Sequence, residues 1–388
     1  MKLAWLSSAV SVALAAPAAQ AIEVFNDGKN SVGIGGYADV RVLNTQGKTE
    51  VADGTSRINF DFNRNMGRGW DLQAKMEWGV NLVGNTDISL TGDYVHTRSG
   101  DFLNNRLGFV KVGHEKYGSI SAGKQWGVYY DVVAATDIPH IWAGTSSGVY
   151  TFNGDGGLNG TGRADKALQY RNEWGNFKLG LQVQARNSAD EVRDLQEVPA
   201  PLPSTGNVYR IQSITYNSTY GASARYQATD KLEVGVAYNQ GEFEGRFLDG
   251  TPLNATDKIA AFGSSYGGMY DEGLYLAFNV NQAEFHEVDN EGRIIPKSTG
   301  AEALVSYALD GGWVPFLMMN YLKADEESYK RDYEGDTFER SFITGGVHYQ
   351  WDKNTILYIE GRKDFSKVPD AQKKVEDDGI GIGIRVFL

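Results

Sequence analysis

Residues 70–82 read WDLQAKMEWGVNL, and this stretch restricts the fold more than any other part of the chain. One parity holds Trp70, Leu72, Ala74, Met76, Trp78, Val80 and Leu82, all apolar. The other holds Asp71, Gln73, Lys75, Glu77, Gly79 and Asn81, none with an apolar side chain. Successive side chains of a strand point to opposite faces, whereas a helical period of 3.6 would mix the two sets. The segment is therefore a strand with one apolar and one wet face. The same alternation recurs at 57–63, 177–186, 232–239 and 379–388.

The connections between such segments also alternate. Short ones lie at 65–69, 114–118, 173–176, 228–230, 267–272, 310–312 and 352–354, all with Gly, Asn or Asp, as tight turns require. Long polar ones lie at about 44–55, 84–104, 128–162, 187–219, 240–257, 283–298, 323–339 and 363–378. Fifteen connections imply sixteen strands. An even number of antiparallel strands, with short turns at one end and long loops at the other, is the layout of a transmembrane β-barrel of the outer membrane. A soluble sandwich also alternates, but its dry core does not accept unpaired Lys, Arg, Glu and Asp on the inward parity. Trp70, Trp126, Tyr226, Tyr266, Trp313, Tyr349 and Trp351 fall near strand ends, as in interfacial girdles. A sheet in lipid must close on itself, and sixteen strands enclose an aqueous lumen. The expected fold is all-β, a 16-stranded antiparallel barrel.

Composition removes other classes. The chain has 388 residues, no cysteine and a net charge of −12. Disulfide scaffolds, thiolate metal sites and cysteine nucleophiles are excluded, and the acidic balance disfavours a nucleic-acid partner. Residues 1–21 carry one basic residue, Lys2, a short apolar run and a closing Ala19-Gln20-Ala21. They read as a cleaved signal peptide, leaving 22–388 as the barrel.

Catalytic and cofactor motifs fit poorly. Gly144-Thr145-Ser146-Ser147-Gly148 matches G-x-S-x-G but lies in a loop, without the strand and helix that a nucleophile elbow needs. Gly379, Gly381 and Gly383 share one face of a strand and no helix follows, so they read as keeping the lumen wall low. His96, His114, His140, His286 and His348 are scattered singly. No cofactor, metal site or enzymatic activity is expected.

Residues 106–110 (RLGFV) and 117–131 (YGSISAGKQWGVYYD) resemble the fourth and fifth strands of Gram-negative general diffusion porins. Thr136-Asp137-Ile138-Pro139 looks like the start of the third loop of that family, Arg163 to Asn172 like its sixth strand, and Ile22 to Gly28 like its mature N-terminus. The resemblance implies a homotrimer of sixteen-stranded barrels among outer-membrane lipids and lipopolysaccharide. Each would be a water-filled pore for ions and small hydrophilic solutes, with the third loop folded inside to narrow it. By position, Arg57, Arg106 and Arg163 match the basic wall of the constriction, and Asp137 matches an acid of the loop. Parity also puts Arg57 and Arg106 on the polar face, and Arg163 with Gln169 and Arg171. Asp39, Arg41, Lys75, Glu77, His140 and Arg171 are further candidates for the pore lining; His140 stands near the place of a second loop acid.

Two other functions fit the sequence less well. A barrel enzyme would need a Ser/His or Asp/His pair at the outer rim of a smaller barrel. A substrate-selective porin for sugars or anions would need an ordered file of inward aromatics or lysines; Phe316, Tyr358 and Phe387 are inward aromatics without contiguity in sequence. The loop 84–104 reads either as a latch onto a neighbouring subunit or as an exposed loop.

Overall fold

A computed structural model describes residues 21–88, 90, 102–152, 154–189, 211–247, 250–290, 292–332, 337–368 and 378–388. Residues 1–20, the bulk of the expected signal peptide, and most of the loop 84–104 lie outside the described residues.

The wall begins with β1 (Ile22–Asn26), β2 (Asn30–Thr45), β3 (Lys48–Asp53), β4 (Arg57–Gly67) and β5 (Trp70–Val80). It continues through β6 (Leu103–His114), β7 (Gly118–Trp126), β8 (Arg163–Trp174), β9 (Phe177–Gln184), β10 (Asn187–Ala189) and β11 (Ile211–Gln227). Then follow β12 (Leu232–Phe247), β13 (Pro252–Tyr266), β14 (Gly273–Glu284), β15 (Lys297–Ala308) and β16 (Trp313–Ala324). The last are β17 (Glu339–Asp352), β18 (Thr355–Asp364) and β19 (Gly379–Phe387). All belong to one sheet, and β19 pairs antiparallel with β2, which closes it. Leaving out the short pieces β1, β3 and β10, sixteen strands form the barrel, as the alternation predicts.

Closure uses both ends of the chain. β19 covers β2 from Thr45 down to Tyr37, and β1 then takes its place from Ile34 to Ser31. The Leu388 N–H donates to the Gly36 carbonyl at 3.0 Å where one hands over to the other.

All seven short turns fall where the sequence puts them. Several long loops are shorter than expected, because strands run on beyond the membrane. The span 44–55 is a hairpin in which Thr45 faces Lys48 across Gln46-Gly47. Both of those residues have positive φ, 55° and 73°, the conformation of a primed two-residue turn. The span 240–257 is mostly ladder, with Arg246 opposite Pro252. In this projecting region Phe243, Ile214 and Tyr216 are buried inside while Glu242 and Glu244 face outward to water. Alternation persists there with its polarity inverted, which is why an apolar-outside pattern misses it.

Within the membrane zone the parity holds. Met76 is 37% exposed and Val236 53%, while Glu77 keeps 6%. Asp61 and Lys75 are cross-strand partners on the inner face, with Nζ 3.4 Å from Oδ2. Trp70, Tyr226, Tyr266, Trp313 and Trp351 are exposed beside the short turns, forming one girdle. Trp126 is not part of it: its ring lies inside, stacked on Tyr130 at 4.0 Å. The glycines of β19 do keep the wall low. A Cβ at Gly381 would meet the Ile141 side chain, and one at Gly379 would meet Trp142.

Met76→Arg should cost about 2–4 kcal/mol, the range for a basic residue on the lipid face near the midplane. Lys75→Gln, one residue away on the wet face, should fold as the native chain does. Refolding yield into lipid vesicles, read by heat-modifiable gel mobility, measures both.

Candidate functional site

Residues 127–162 leave β7 and turn into the barrel instead of out to water, and most of them are buried. A loop in that position must find partners for its backbone. The wall supplies them through carboxylates on the inward parity. Glu360 on β18 accepts from the N–H groups of His140, Ile141 and Trp142 at 2.6, 3.0 and 3.3 Å. Glu302 on β15 accepts from the Ser146 N–H at 2.7 Å, the Asn279 amide at 2.9 Å and the Thr136 hydroxyl. Gly144 packs so close to Glu302 that a Cβ would overlap its carboxylate. Asp257 on β13 accepts from Tyr216 at 2.7 Å, and from Asn159 of the loop at 3.2 Å.

His286, in the loop after β14, adds a fourth tie. Its Nδ1 is 2.6 Å from Asp257 and its Nε2 is 2.8 Å from the Gly148 carbonyl. Both neighbours are acceptors, so both ring nitrogens must carry hydrogen and the ring is cationic. Burial pushes its pKa down, but the Asp257 charge and hydrogen bond outweigh this and lift it to about 9.

The loop tip rests on a second cluster. The rings of His140 and His348 stack at 4.4 Å, and His348 is 2.9 Å from Glu360 and 2.7 Å from the Tyr270 hydroxyl. Arg41 donates to the His140 carbonyl at 2.8 Å. Asp39 holds Arg385 at 2.7 Å and accepts from Tyr358 at 2.5 Å. Burial and the nearby Arg385 charge hold the His140 pKa well below its usual value. His140, Asp39 and Arg41 are thus sealed between loop and wall, with at most 8% exposure, instead of facing open lumen.

On its other side the loop presents Asp137, which accepts from Tyr130 at 2.8 Å and Tyr150 at 2.6 Å. Burial and the Asp137 carboxylate raise both phenol pKa values. The charge of Arg57 reaches Tyr130, and those of Arg163 and Arg106 reach Tyr150, so the three arginines lie near these tyrosines. Each arginine has a counter-charge. Arg106 and Arg57 share Glu77 at 2.9 and 3.8 Å. Arg163 holds Asp155 at 3.1 Å, as does Lys124. Burial works against the Asp155 charge, but Arg163 and Lys124 prevail and hold its carboxyl far below the usual range. Below, Arg171 grips Asp131 at 2.8 and 3.1 Å.

Arg106 points inward for a reason that simple parity does not supply. Val110, on its parity, is half-exposed on the outer face. The register shifts between Glu77, opposite Leu107, and Trp78, opposite Asn105. Arg106 is the extra residue of this bulge, and bulges re-aim side chains. Sequence reading missed Glu302, Glu360, Asp257, Asp155 and Arg385. Asp155 lies in the loop itself. The inward parity of the other four is visible, since Arg385 alternates with Ile384 and Val386, but their partners are distant in sequence.

An apolar exterior, a charged interior and a loop laid across the lumen define a transmembrane channel. The chain matches the family model of Gram-negative porins over residues 7–367. It is 25% identical to the outer membrane porin protein OmpD of Salmonella typhimurium strain LT2, over 99% of both chains. It is 24% identical to outer membrane protein F of Serratia marcescens, again over 99% of both. Among solved structures, Salmonella typhi OmpF in complex with daunomycin superimposes with a TM-score of 0.69 at 20% identity, covering 94% of this chain and 100% of that one. The trimer form of OmpT from Vibrio cholerae gives 0.62 at 15%, covering 93% and 100%. The chain belongs to the Gram-negative porin family: it is an outer-membrane channel for the diffusion of small hydrophilic solutes and ions.

Two outcomes test the loop ties. Glu360→Ala leaves three buried amides without their acceptor, at about 1–3 kcal/mol for each group left unpaired. Single-channel recordings should show a noisier current while the barrel still folds. For His286 the folded pKa of about 9 lies above the ordinary 6.5. Its tie is therefore complete below about pH 6.5 and lost as pH rises through about 9. Current noise should climb between pH 8 and 10, and His286→Gln should remove that step.

Proposed function

We propose that Asp137, facing Arg57, Arg106 and Arg163, forms the charged eyelet that sets the ion preference of this porin. The observation that carries the reading is the position of Asp137 on the inner side of the loop, on two tyrosines that feel the charges of all three arginines. Lys75, Glu77 and Arg171 line the path next to it. Glu77 and Asp155 offset much of the arginine charge, so the eyelet is close to balance. The chain carries −12 overall, and −13 once Lys2 is removed with residues 1–21, which we read as an export signal. Acidic mouths and a balanced eyelet give a weak cation preference.

The resemblance and the trimer form of OmpT from Vibrio cholerae support a homotrimer, seated among outer-membrane lipids and lipopolysaccharide. We read the protein as a passive channel without catalytic activity. A sugar-selective reading gains nothing from Phe316, Tyr358 and Phe387. The structure links the first two through His348, at 5.0 and 5.9 Å, but all three keep at most 7% exposure and lie packed.

Reversal potential in a potassium chloride gradient checks the eyelet. Asp137→Asn should move it towards anions with little change in conductance. Arg106→Ala should raise conductance and move it towards cations, because Glu77 then keeps the more distant Arg57 and the charge of Lys75. An unmoved potential in Asp137→Asn would take this carboxylate out of the pore.

A further inference from the structure

Below the eyelet, towards the short turns, the inner face carries a run of cations on neighbouring strands. Lys75 stands on β5, Lys111 on β6, Arg171 on β8, Lys178 on β9 and Arg225 on β11. Ladder register makes the run continuous. Gln73 faces Lys111, Lys111 faces Ser121, Ser119 faces Arg171, and Lys178 faces Arg225 directly. Serines and an amide, all able to donate, fill the spaces between the charges.

The acids on this arc match the cations in number, and most of them are engaged. Asp61 takes Lys75 at 3.4 Å and the Gln73 amide at 3.3 Å. Asp131 takes Arg171, and Glu233 is shared by Lys178 at 2.7 Å and Arg225 at 3.0 Å. Glu173 stands opposite Lys178 in the ladder. Asp71 is close enough for its charge to act on Lys111, as do those of Arg171, Asp61 and Lys75. Among the described residues no hydrogen bond or ion pair is made to the Lys111 ammonium. A half-buried lysine without a bonded partner, flanked by Lys75 and Arg171, offers three donors to an anion.

We propose that this arc is a binding site for short polyphosphate anions, reached from the short-turn end of the pore. Several charges spread over neighbouring strands suit an extended ligand with repeated negative groups better than a single chloride. Phosphate oxygens accept strong charge-assisted bonds from both lysine and arginine. The site is distinct from the eyelet and rests on the porin reading given above.

The test is single-channel block by inorganic tripolyphosphate, added to one chamber at a time in 0.1 M potassium chloride. A cysteine placed by Asp230→Cys on the short turn between β11 and β12 marks the orientation, since the chain has no other. Block should occur at lower concentration from the short-turn side. Lys111→Glu should raise the concentration for half-block about tenfold, and Lys111→Gln by less, as expected for a charge contact. Raising salt to 1 M should weaken block, because the screening length falls to about 3 Å. Conductance in potassium chloride alone reads the porin function, so the two readings fail separately. A conducting channel with equal block from both sides overturns the proposal. So does block that Arg106→Ala abolishes and Lys111→Glu leaves unchanged, because the anion would then sit at the eyelet.

Discussion

Hydrocarbon offers nothing to a peptide N–H or C=O, and each such group left bare costs several kcal/mol. Every other property of this protein is built within that constraint. It forces each strand to be paired on both edges, and hence the β19–β2 contact that closes the sheet. Closure fixes which side chains meet lipid and which meet water. The inward parity is then free to carry charge at a density that a soluble core of this size would not accept, because the lumen is wet.

The inserted loop repeats the problem on a smaller scale. Its backbone enters a space too crowded for full hydration, and the wall answers with Glu302, Glu360 and Asp257. A carboxylate suits this role because one group accepts from several donors at once, as Glu360 does from three consecutive amides. Once fastened, the loop holds Asp137 on Tyr130 and Tyr150, where the arginine charges are felt. The proposed eyelet would inherit its geometry from these ties.

Much of this was legible in the sequence. The alternation from Trp70 to Leu82 and the seven short turns place the wall strands, because lipid demands an apolar face without exception. The projecting parts of β11–β13 were not, since above the membrane Glu242 and Glu244 face water and the pattern inverts. Parity puts Arg106 on the inner face, but the bulge opposite Glu77 is what turns it there. The loop ties escaped altogether. Thr136 and Glu302 are 166 residues apart, and His140 and Glu360 are 220 apart. No local pattern connects them.

The handover between β19 and β1 beside β2 has a consequence for assembly. The Arg385–Asp39 bond that spans the seam joins residues 346 positions apart. The seam is therefore the last pairing available to a chain emerging from its N-terminal end, and until it forms the sheet has two open edges. Contacts of such sequence separation form slowly, and open edges recruit other strands. A chain built this way must be kept from its neighbours until its final strand arrives, so its escape from aggregation depends on what shelters it during that wait.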